Sequence, residues 1–407
     1  MNDHAARTGH AARRLAVGPT DPATVAAVVR AVREALADGP ALAPVAAGAG
    51  APDGPVGAVP ADVALVVRTS GSTGEPREVL LGAAALRASA AATHERLGGP
   101  GRWLLALPLA HVAGLQVVVR SVLAGHDPLV VPHLHRGFDP VAWAEAVRDA
   151  PDDAPVHTSL VPTQLHRVVA AWDDLTAVTA RAVVGRLGAV LLGGAATAPT
   201  LLERARGIGL PVVTTYGMTE TCGGCVYDGV PLAGVEVRLD DDGAVELAGP
   251  VLAHGYRGRP DLDRAAFRVD PDGRRWFATA DLGTLDDGVL RVLGRRDDVL
   301  VTGGAKVAPA AVEAALAGLP GVAEVCVVGV PDAEWGQAVT AVVVPAAAEA
   351  PDLRTVREHV TRTLGRAAAP RHVVPVAALP LRGPGKVDRA AVARVAAREL
   401  GRTTGTA

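Results

Sequence analysis

Between Ala61 and Tyr216 the chain keeps switching between two periods. "VALVV" (63–67), "WLLALPL" (103–109), "DPLVV" (127–131), "AVLLGG" (189–194) and "PVVTTYG" (211–217) are short apolar runs, and "GLQVVVRSVLAG", "FDPVAWAEAVRDA" and "APTLLERARGIG" between them carry helical patterning. Apolar runs alternating with helices predict a mostly parallel α/β sheet. Ligands on such a sheet bind beyond the carboxyl ends of its strands. The polar and Gly-rich turns of this stretch all follow apolar runs, so they are expected to converge on one crevice.

From Val230 the period changes. "GVEVRLDDDGAVELAG" alternates around Asp-Asp-Gly, and "RWFATADLGTLDDGVLRVLG" carries two more strands around Asp-Gly, so both read as hairpins. After "GRRDD" (294–298) a smaller α/β pattern begins: helix "APAAVEAALAGLPGV", strands "AEVCVVGV" and "AVTAVVV", helix "LRTVREHVTRTLG". The expected division is a large domain over residues 1–296 and a small one over 297–407.

A net charge of −3 with 20% charged residues gives no strong field toward nucleic acid or membrane. The first residues hold no apolar run long enough for a signal peptide, and no later stretch gives a charge-free span for a membrane helix. A cytoplasmic enzyme is expected. The three cysteines, Cys222, Cys225 and Cys326, are an odd number in a large chain, which argues against a disulfide framework. The Cys222-x-x-Cys225 pair has no second Cys or His pair nearby for zinc, so the thiols read as structural.

"RTSGSTGEPREV" (68–79) follows a strand and offers backbone N–H groups and hydroxyls that can cradle phosphate oxygens. It is not a Walker A loop, and alone it reads as an ordinary Ser/Gly turn. It is followed by "TTYGMTET" (214–221), "ATADLGTL" (278–285), "GRRDDVLVTGGAKVAPAAVE" (294–313) and "LPLRGPGKVDR" (379–389). In that order, over residues 69–389, these segments resemble the motifs of the acyl-adenylate-forming superfamily. The resemblance implies an α/β fold: a large N-terminal adenylate-forming domain of parallel α/β sheets plus a β-hairpin or barrel part, with a small mobile α+β C-terminal domain. It also implies ATP and Mg²⁺, a small-molecule carboxylic acid, and coenzyme A as co-substrate, with a homodimer left open.

The resemblance assigns residues as well. Thr69, Ser70, Gly71, Ser72, Thr73, Gly74 and Arg77 would hold phosphates, Arg77 standing where the family usually has lysine. Thr73 and Glu220 would hold Mg²⁺, a hard cation suited to oxygen ligands. Tyr216, Gly217 and Thr219 would contact nucleotide. Asp281 is able to accept both ribose hydroxyls, and Arg295 to reach the same ribose. Gly193, Gly194 and Ala195 allow close backbone approach to the flat adenine ring. Asp297 would be the hinge, and Gly303, Gly304 and Lys306 the face that admits the pantetheine arm of CoA. Within the superfamily, "LLALPLAHVAGLQVVVRSVLAG" (104–125), "TSLVPTQLHRV" (158–168), "TETCGGCVYDGVPLAGV" (219–235) and the early phosphate loop resemble the o-succinylbenzoate–CoA ligases. That implies an acid pocket of His111, Ser159, Thr163, Gly217 and Arg167, with Arg167 on the second carboxylate. Another aryl- or acyl-CoA ligase, and a non-catalytic nucleotide-binding relative, are the alternatives.

Of the 40 basic residues only Lys306 and Lys386 are lysine. Base composition explains arginine where only charge is needed, but not the lysines that survive. At Lys386, on a Gly-Pro-Gly turn, a compact ammonium on a long stem suits a cation placed between a carboxylate and an α-phosphate, where a planar guanidinium does not. Lys386, with Glu220, is therefore the catalytic expectation. Lys386→Ala should lower pyrophosphate release by roughly 10²–10³-fold, as for the loss of one key electrostatic group. Thioester formation from supplied acyl-adenylate should survive, and measuring the two half-reactions separately checks this.

Overall fold

The computed structural model describes residues 10–17, 20–46, 56–69, 76–347, 349–382 and 386–404. It begins with β1 (His10–Val17), α1 (Pro22–Leu36), β2 (Ala41–Ala46), β3 (Val56–Val59), β4 (Val63–Thr69), β5 (Arg77–Gly82) and α2 (Ala83–Arg96). β1, β2 and β4 run parallel, while β3 and β5 close the sheet antiparallel. Asp21 starts α1 by accepting from the amides of Ala23 and Thr24 at 2.9 and 3.0 Å, with Pro22 opening the helix.

The second sheet contains β6 (Arg102–Leu105), β7 (Leu129–Val130), β8 (Val156–Leu160), β9 (Leu187–Leu192), β10 (Val212–Met218), β11 (Gly223–Tyr227) and β12 (Val230–Pro231). Its order is β12-β11-β10-β9-β8-β6-β7. From β10 to β7 every pairing is parallel, and β11 and β12 are antiparallel. The connecting helices are α3 (Val112–Leu123), α4 (Pro140–Arg148), α5 (Pro162–Ala170), α6 (Ala177–Arg186) and α7 (Pro199–Gly207). A single core takes Val28 and Val32 from α1, Leu86 from α2, and Leu115 and Val118 from α3. The same core holds Leu65 and Leu81 of the first sheet and Leu105 and Leu191 of the second, so α1–α3 form a layer between the two sheets. The far face of the second sheet is covered by Trp143, Leu165, Val183 and Ala205 from α4–α7.

The alternating pattern was expected to give one sheet from residue 61 onward, and here the structure differs. β4 pairs with β2 and β5, not with β6. Its five buried residues satisfy the pattern in either sheet, because periodicity reports burial on both faces and not the identity of the neighbour.

A third sheet combines β13 (Glu236–Leu239), β14 (Ala244–Ala248), β16 (Phe267–Val269), β17 (Arg275–Asp286) and β18 (Val289–Arg295). Both expected hairpins are present, β13–β14 and β17–β18. Asp287 and Gly288, at φ 49° and 78°, make the two-residue turn between β17 and β18 that needs two left-handed residues. In the same region β15 (Gly255–Tyr256) pairs with β5, and α8 (Pro260–Ala266) follows it.

The last unit contains β19 (Leu300–Thr302), β20 (Ala305–Val307), α9 (Pro309–Leu316), β21 (Val322–Asp332), β22 (Gly336–Pro345), α10 (Leu353–Leu364) and β23 (His372–Pro375). β24 (Leu381–Arg382), β25 (Lys386–Val387) and α11 (Arg389–Thr404) end it. α9 and α10 cover one face of its sheet through Val312, Leu316, Val356 and Val360, and α11 covers the other through Val392 and Ala396. All three cysteines are free and buried. Burial raises each thiol, pushing Cys225 up to about 12, which suits inert core packing. Among the described residues no helix is long and apolar enough to cross a membrane.

Leu104 is fully buried on β6, in the middle of the parallel run. Leu104→Ala should destabilise the protein by about 2–5 kcal/mol, the usual cost of such a cavity. Urea unfolding with a shifted midpoint and an unchanged slope checks it.

Candidate active site

β10 and the turn after it deliver two of the expected residues to two clusters. Tyr216 donates its hydroxyl to Oδ2 of Asp281 on β17 at 2.8 Å. Asp281 pairs across the hairpin with Arg295, whose Nη1 is 3.6 Å from Oδ1 of Asp281 and whose Nη2 donates to Asp297 at 2.9 Å. Thr279 braces the strand, its hydroxyl donating to the Val245 carbonyl at 2.8 Å and accepting from the Asp281 amide at 3.0 Å. Burial, then the Asp281 charge, raises the Tyr216 phenol, so it remains a donor at any physiological pH. Burial opposes the charge on Arg295, and the hydrogen bond to Asp297 with the field of Asp281 more than offsets it. Asp281 is largely buried and Arg295 half-exposed, which leaves a carboxylate and a cation facing outward from one hairpin.

Three residues after Tyr216 the chain makes the 3-10 turn Thr219–Thr221. Thr221 pins it, donating to the Gly223 carbonyl at 2.7 Å and accepting from the Met218 amide at 3.0 Å. Ser89 and Gln116 both donate to the Cys222 carbonyl. Gly217 is required here because a Cβ would overlap the Gly223 carbonyl oxygen. Glu220, held on this turn, accepts at Oε1 from the hydroxyl of Tyr256 at 2.9 Å. The Arg77 guanidinium lies over the Tyr256 ring, 5.7 Å from its centroid, within cation–π reach. Burial, then Glu220, raises the Tyr256 phenol, so it too stays a donor.

Arg77 and Thr69 face each other at the open end of the β4–β5 hairpin. Ser70, Gly71, Ser72, Thr73 and Gly74, the loop they close, lie outside the described residues. The first sheet thus brings its hairpin end to the same place as the carboxyl end of β10, with Tyr256 of β15 as the bridge. Tyr256 was not among the residues expected from the sequence. It is one of only three tyrosines in an aromatic-poor chain. All three hydroxyls are bonded, Tyr227 to Thr93 at 3.0 Å, so the scarcity that flagged the lysines applied to tyrosine as well.

A 170 Å³ cleft lies beside Tyr216, lined by Thr214, Thr215, Val226, Gly229, Leu290 and Val292. That is below the roughly 300–1,000 Å³ of a pocket for a drug-sized ligand. Gly193 and Gly194 are close by in sequence order of the sheet, Gly193 packed against the Thr215 hydroxyl so tightly that a Cβ is excluded. Neither they nor Ala195 line this cleft.

The expected acid-pocket residues come from the carboxyl ends of neighbouring parallel strands. His111 precedes α3, Ser159 is buried near the end of β8, and Thr163 lies in the first turn of α5. Arg167 lies on the exposed side of α5, its Nη1 3.5 Å from the Phe138 carbonyl. Asp297 occupies the exposed turn Arg296–Asp298 between β18 and β19. Gly303 and Gly304 form the β19–β20 turn at φ 53° and 80°, the indole of Trp335 lying against Gly303, and Lys306 is exposed on β20. Lys386 is on β25, opposite Arg382; its side chain and residues 383–385 lie outside the described residues.

A buried carboxylate beside a donor tyrosine, a second carboxylate beside the β4–β5 hairpin and a C-terminal lysine motif together fit an adenylate-forming enzyme. The chain belongs to the AMP-binding enzyme family: residues 8–257 match the AMP-binding enzyme model and residues 311–386 its C-terminal domain. A probable 2-succinylbenzoate–CoA ligase of Mycobacterium tuberculosis is 48% identical over 82% of this chain and 84% of its own. Among solved structures, an O-succinylbenzoate coenzyme A synthetase of Bacillus subtilis in complex with ATP and magnesium ion superposes with a TM-score of 0.73. It is 25% identical and covers 94% of this chain and 89% of that one. An amide bond synthetase of Marinactinospora thermotolerans gives 0.71 at 27% identity, over 94% and 79%.

Tyr256→Phe removes only the hydroxyl that orients Glu220. The net worth of a hydrogen bond to a charged group is about 1.5–3 kcal/mol, so kcat/KM for ATP should fall about tenfold to a hundredfold. Steady-state pyrophosphate release with varied ATP, beside an unchanged melting curve, checks it.

Proposed function

We propose that this protein is a 2-succinylbenzoate–CoA ligase. It joins ATP, 2-succinylbenzoate and CoA into 2-succinylbenzoyl-CoA, AMP and diphosphate by way of an acyl-adenylate, a step of menaquinone biosynthesis. The observation that carries the substrate is the 48% identity to a ligase of that name over most of both chains. What carries the chemistry is the pairing of Tyr216–Asp281–Arg295 with Arg77–Tyr256–Glu220 around one strand and its turn.

In the first half-reaction an acid oxygen attacks the α-phosphorus and diphosphate leaves. In the second, the CoA thiol attacks the acyl carbonyl and AMP leaves. Positioning and charge neutralisation are nearly all that the protein supplies. Asp281 accepts the ribose hydroxyls, held by Tyr216 and Arg295, and the cleft beside Tyr216 takes the adenine. Arg77, at the stem of the phosphate loop, faces the triphosphate. Lys386 is the cation between the attacking carboxylate and the α-phosphate.

Glu220 would hold Mg²⁺. One carboxylate fits Mg²⁺, which takes one or two and completes its shell with water and phosphate oxygens. When bound, the ion neutralises charge on the triphosphate. The small domain turns about Asp297 between the half-reactions, presenting Lys386 in one pose and the Gly303–Gly304 face to the CoA arm in the other. The same reading places the protein in the cytoplasm.

Arg167 binds the succinyl carboxylate. Its guanidinium is exposed and bonds the Phe138 carbonyl, a neutral partner that leaves its charge for a diacid. Pyrophosphate release measured across a panel of carboxylic acids tests the substrate: turnover should be greatest with 2-succinylbenzoate, and preference for a monoacid overturns the assignment. Losing a charge-assisted contact costs about 2–5 kcal/mol when the partner stays buried. Arg167→Ala should therefore raise KM for 2-succinylbenzoate by at least about tenfold and leave KM for ATP nearly unchanged.

A further inference from the structure

Lys386 sits on a two-residue strand. Among the described residues β24 and β25 pair only with each other, two residues each. A ladder that short does not hold its own geometry in water. Three residues beyond Lys386, at the start of α11, stands Arg389. Its Nη1 and Nη2 donate to the two carboxylate oxygens of Glu313 on α9, each at 2.7 Å. Nη1 also donates to the Val327 carbonyl on β21 at 2.9 Å, and Nε is 3.3 Å from Oδ2 of Asp298. Glu313 is itself fixed, accepting from the Val327 amide at 2.7 Å. Between the lysine and this cluster lies Asp388, whose amide donates to the Pro380 carbonyl at 2.8 Å and whose carboxylate caps α11 through the Ala391 amide at 3.0 Å.

We infer that Arg389 is a positioning residue for the adenylation step, a clamp that locks the strand bearing Lys386 to the residue next to the hinge. This rests on the reading of Lys386 and Asp297 given above. Asp298 directly follows Asp297, so any change of backbone torsion at Asp297 moves Asp298 first. Along the chain, Asp298 and Lys386 are separated by two α-helices and six strands. Through Arg389 they are separated by one side chain and three residues of backbone. The bidentate fork on Glu313 sets the plane of the guanidinium, and that plane aims Nε at Asp298. Lysine, a single point donor, cannot reproduce three directed contacts at once. The arrangement makes the small domain turn as one body, delivering Lys386 at a fixed angle instead of on a loose hairpin.

The test separates the half-reactions in Arg389→Lys, Arg389→Ala and Asp298→Asn. Pyrophosphate release reports adenylation, and thioester formation from supplied acyl-adenylate reports the second step. Adenylation kcat is expected to fall about tenfold or more in Arg389→Ala, with KM for ATP and acid within about threefold and little recovery in Arg389→Lys. Thioester formation should stay within about threefold. Asp298→Asn keeps the Glu313 fork and is the variant to use if Arg389→Ala does not fold; it should show the same split with an unchanged melting temperature. Equal loss in both half-reactions, or full rescue by lysine, makes Arg389 a purely structural residue and overturns the clamp. If the wild type prefers another acid, the substrate assignment fails, but the comparison runs unchanged with that acid and still decides the role of Arg389.

Discussion

The hydrogen bond from Tyr216 to Asp281 joins two sheets that share no strand. Tyr216 ends the parallel run of the second sheet, and Asp281 lies on the long hairpin of the third. Neither residue needs the other for its own sheet. Joined, they tie a parallel α/β layer to a β-hairpin layer, and the cleft beside Tyr216 is lined from both. The buried phenol cannot ionise in the physiological range, so the bond keeps one polarity: tyrosine donates and the carboxylate accepts. A second joint of the same kind, Tyr256 to Glu220, ties the first sheet to the turn after β10. Three sheets therefore meet at one strand end through two tyrosine–carboxylate bonds.

Most elements were legible in the sequence because their periods differ. Short buried runs marked β4, β6, β7, β9 and β10, and the Asp-Gly turns marked the two hairpins. Sheet membership was not legible. β4 carries the same apolar signature as β6, and only its pairing with β2 shows which sheet the β4–β5 hairpin belongs to. β1, α1 and β2 were not read at all, since Ala-rich segments carry little contrast between apolar and polar faces.

The site was legible where a residue acts through its own motif and illegible where it acts through another. Glu220, Asp281 and Arg295 are named by their local strings. Tyr256 has no string of its own and matters because of Glu220 and Arg77. Thr279 and Gln116 brace backbone carbonyls and amides, a role that any hydroxyl or amide side chain could announce. Arg389 falls inside a recognised string, yet its work is done on Glu313 and Asp298, at the far end of another string. Contacts between motifs are set by tertiary structure, and one-dimensional spacing does not report them.

The two basic positions proposed for the phosphates illustrate how composition and chemistry divide the work. At Arg77 the family usually has lysine, and this chain has arginine over the ring of Tyr256. A guanidinium stacks on an aromatic face better than an ammonium does, so at this static stem the exchange keeps the charge and adds a contact to the residue that orients Glu220. A cation that stays in place gains from being broad and stacked. A cation that must enter between two anions and then withdraw gains from being compact and unstacked, and it depends on a clamp elsewhere for its aim. Arg389 meets that need with the planar fork that Lys386 lacks. The chain thus places arginine where geometry must be held and keeps lysine where it must be released.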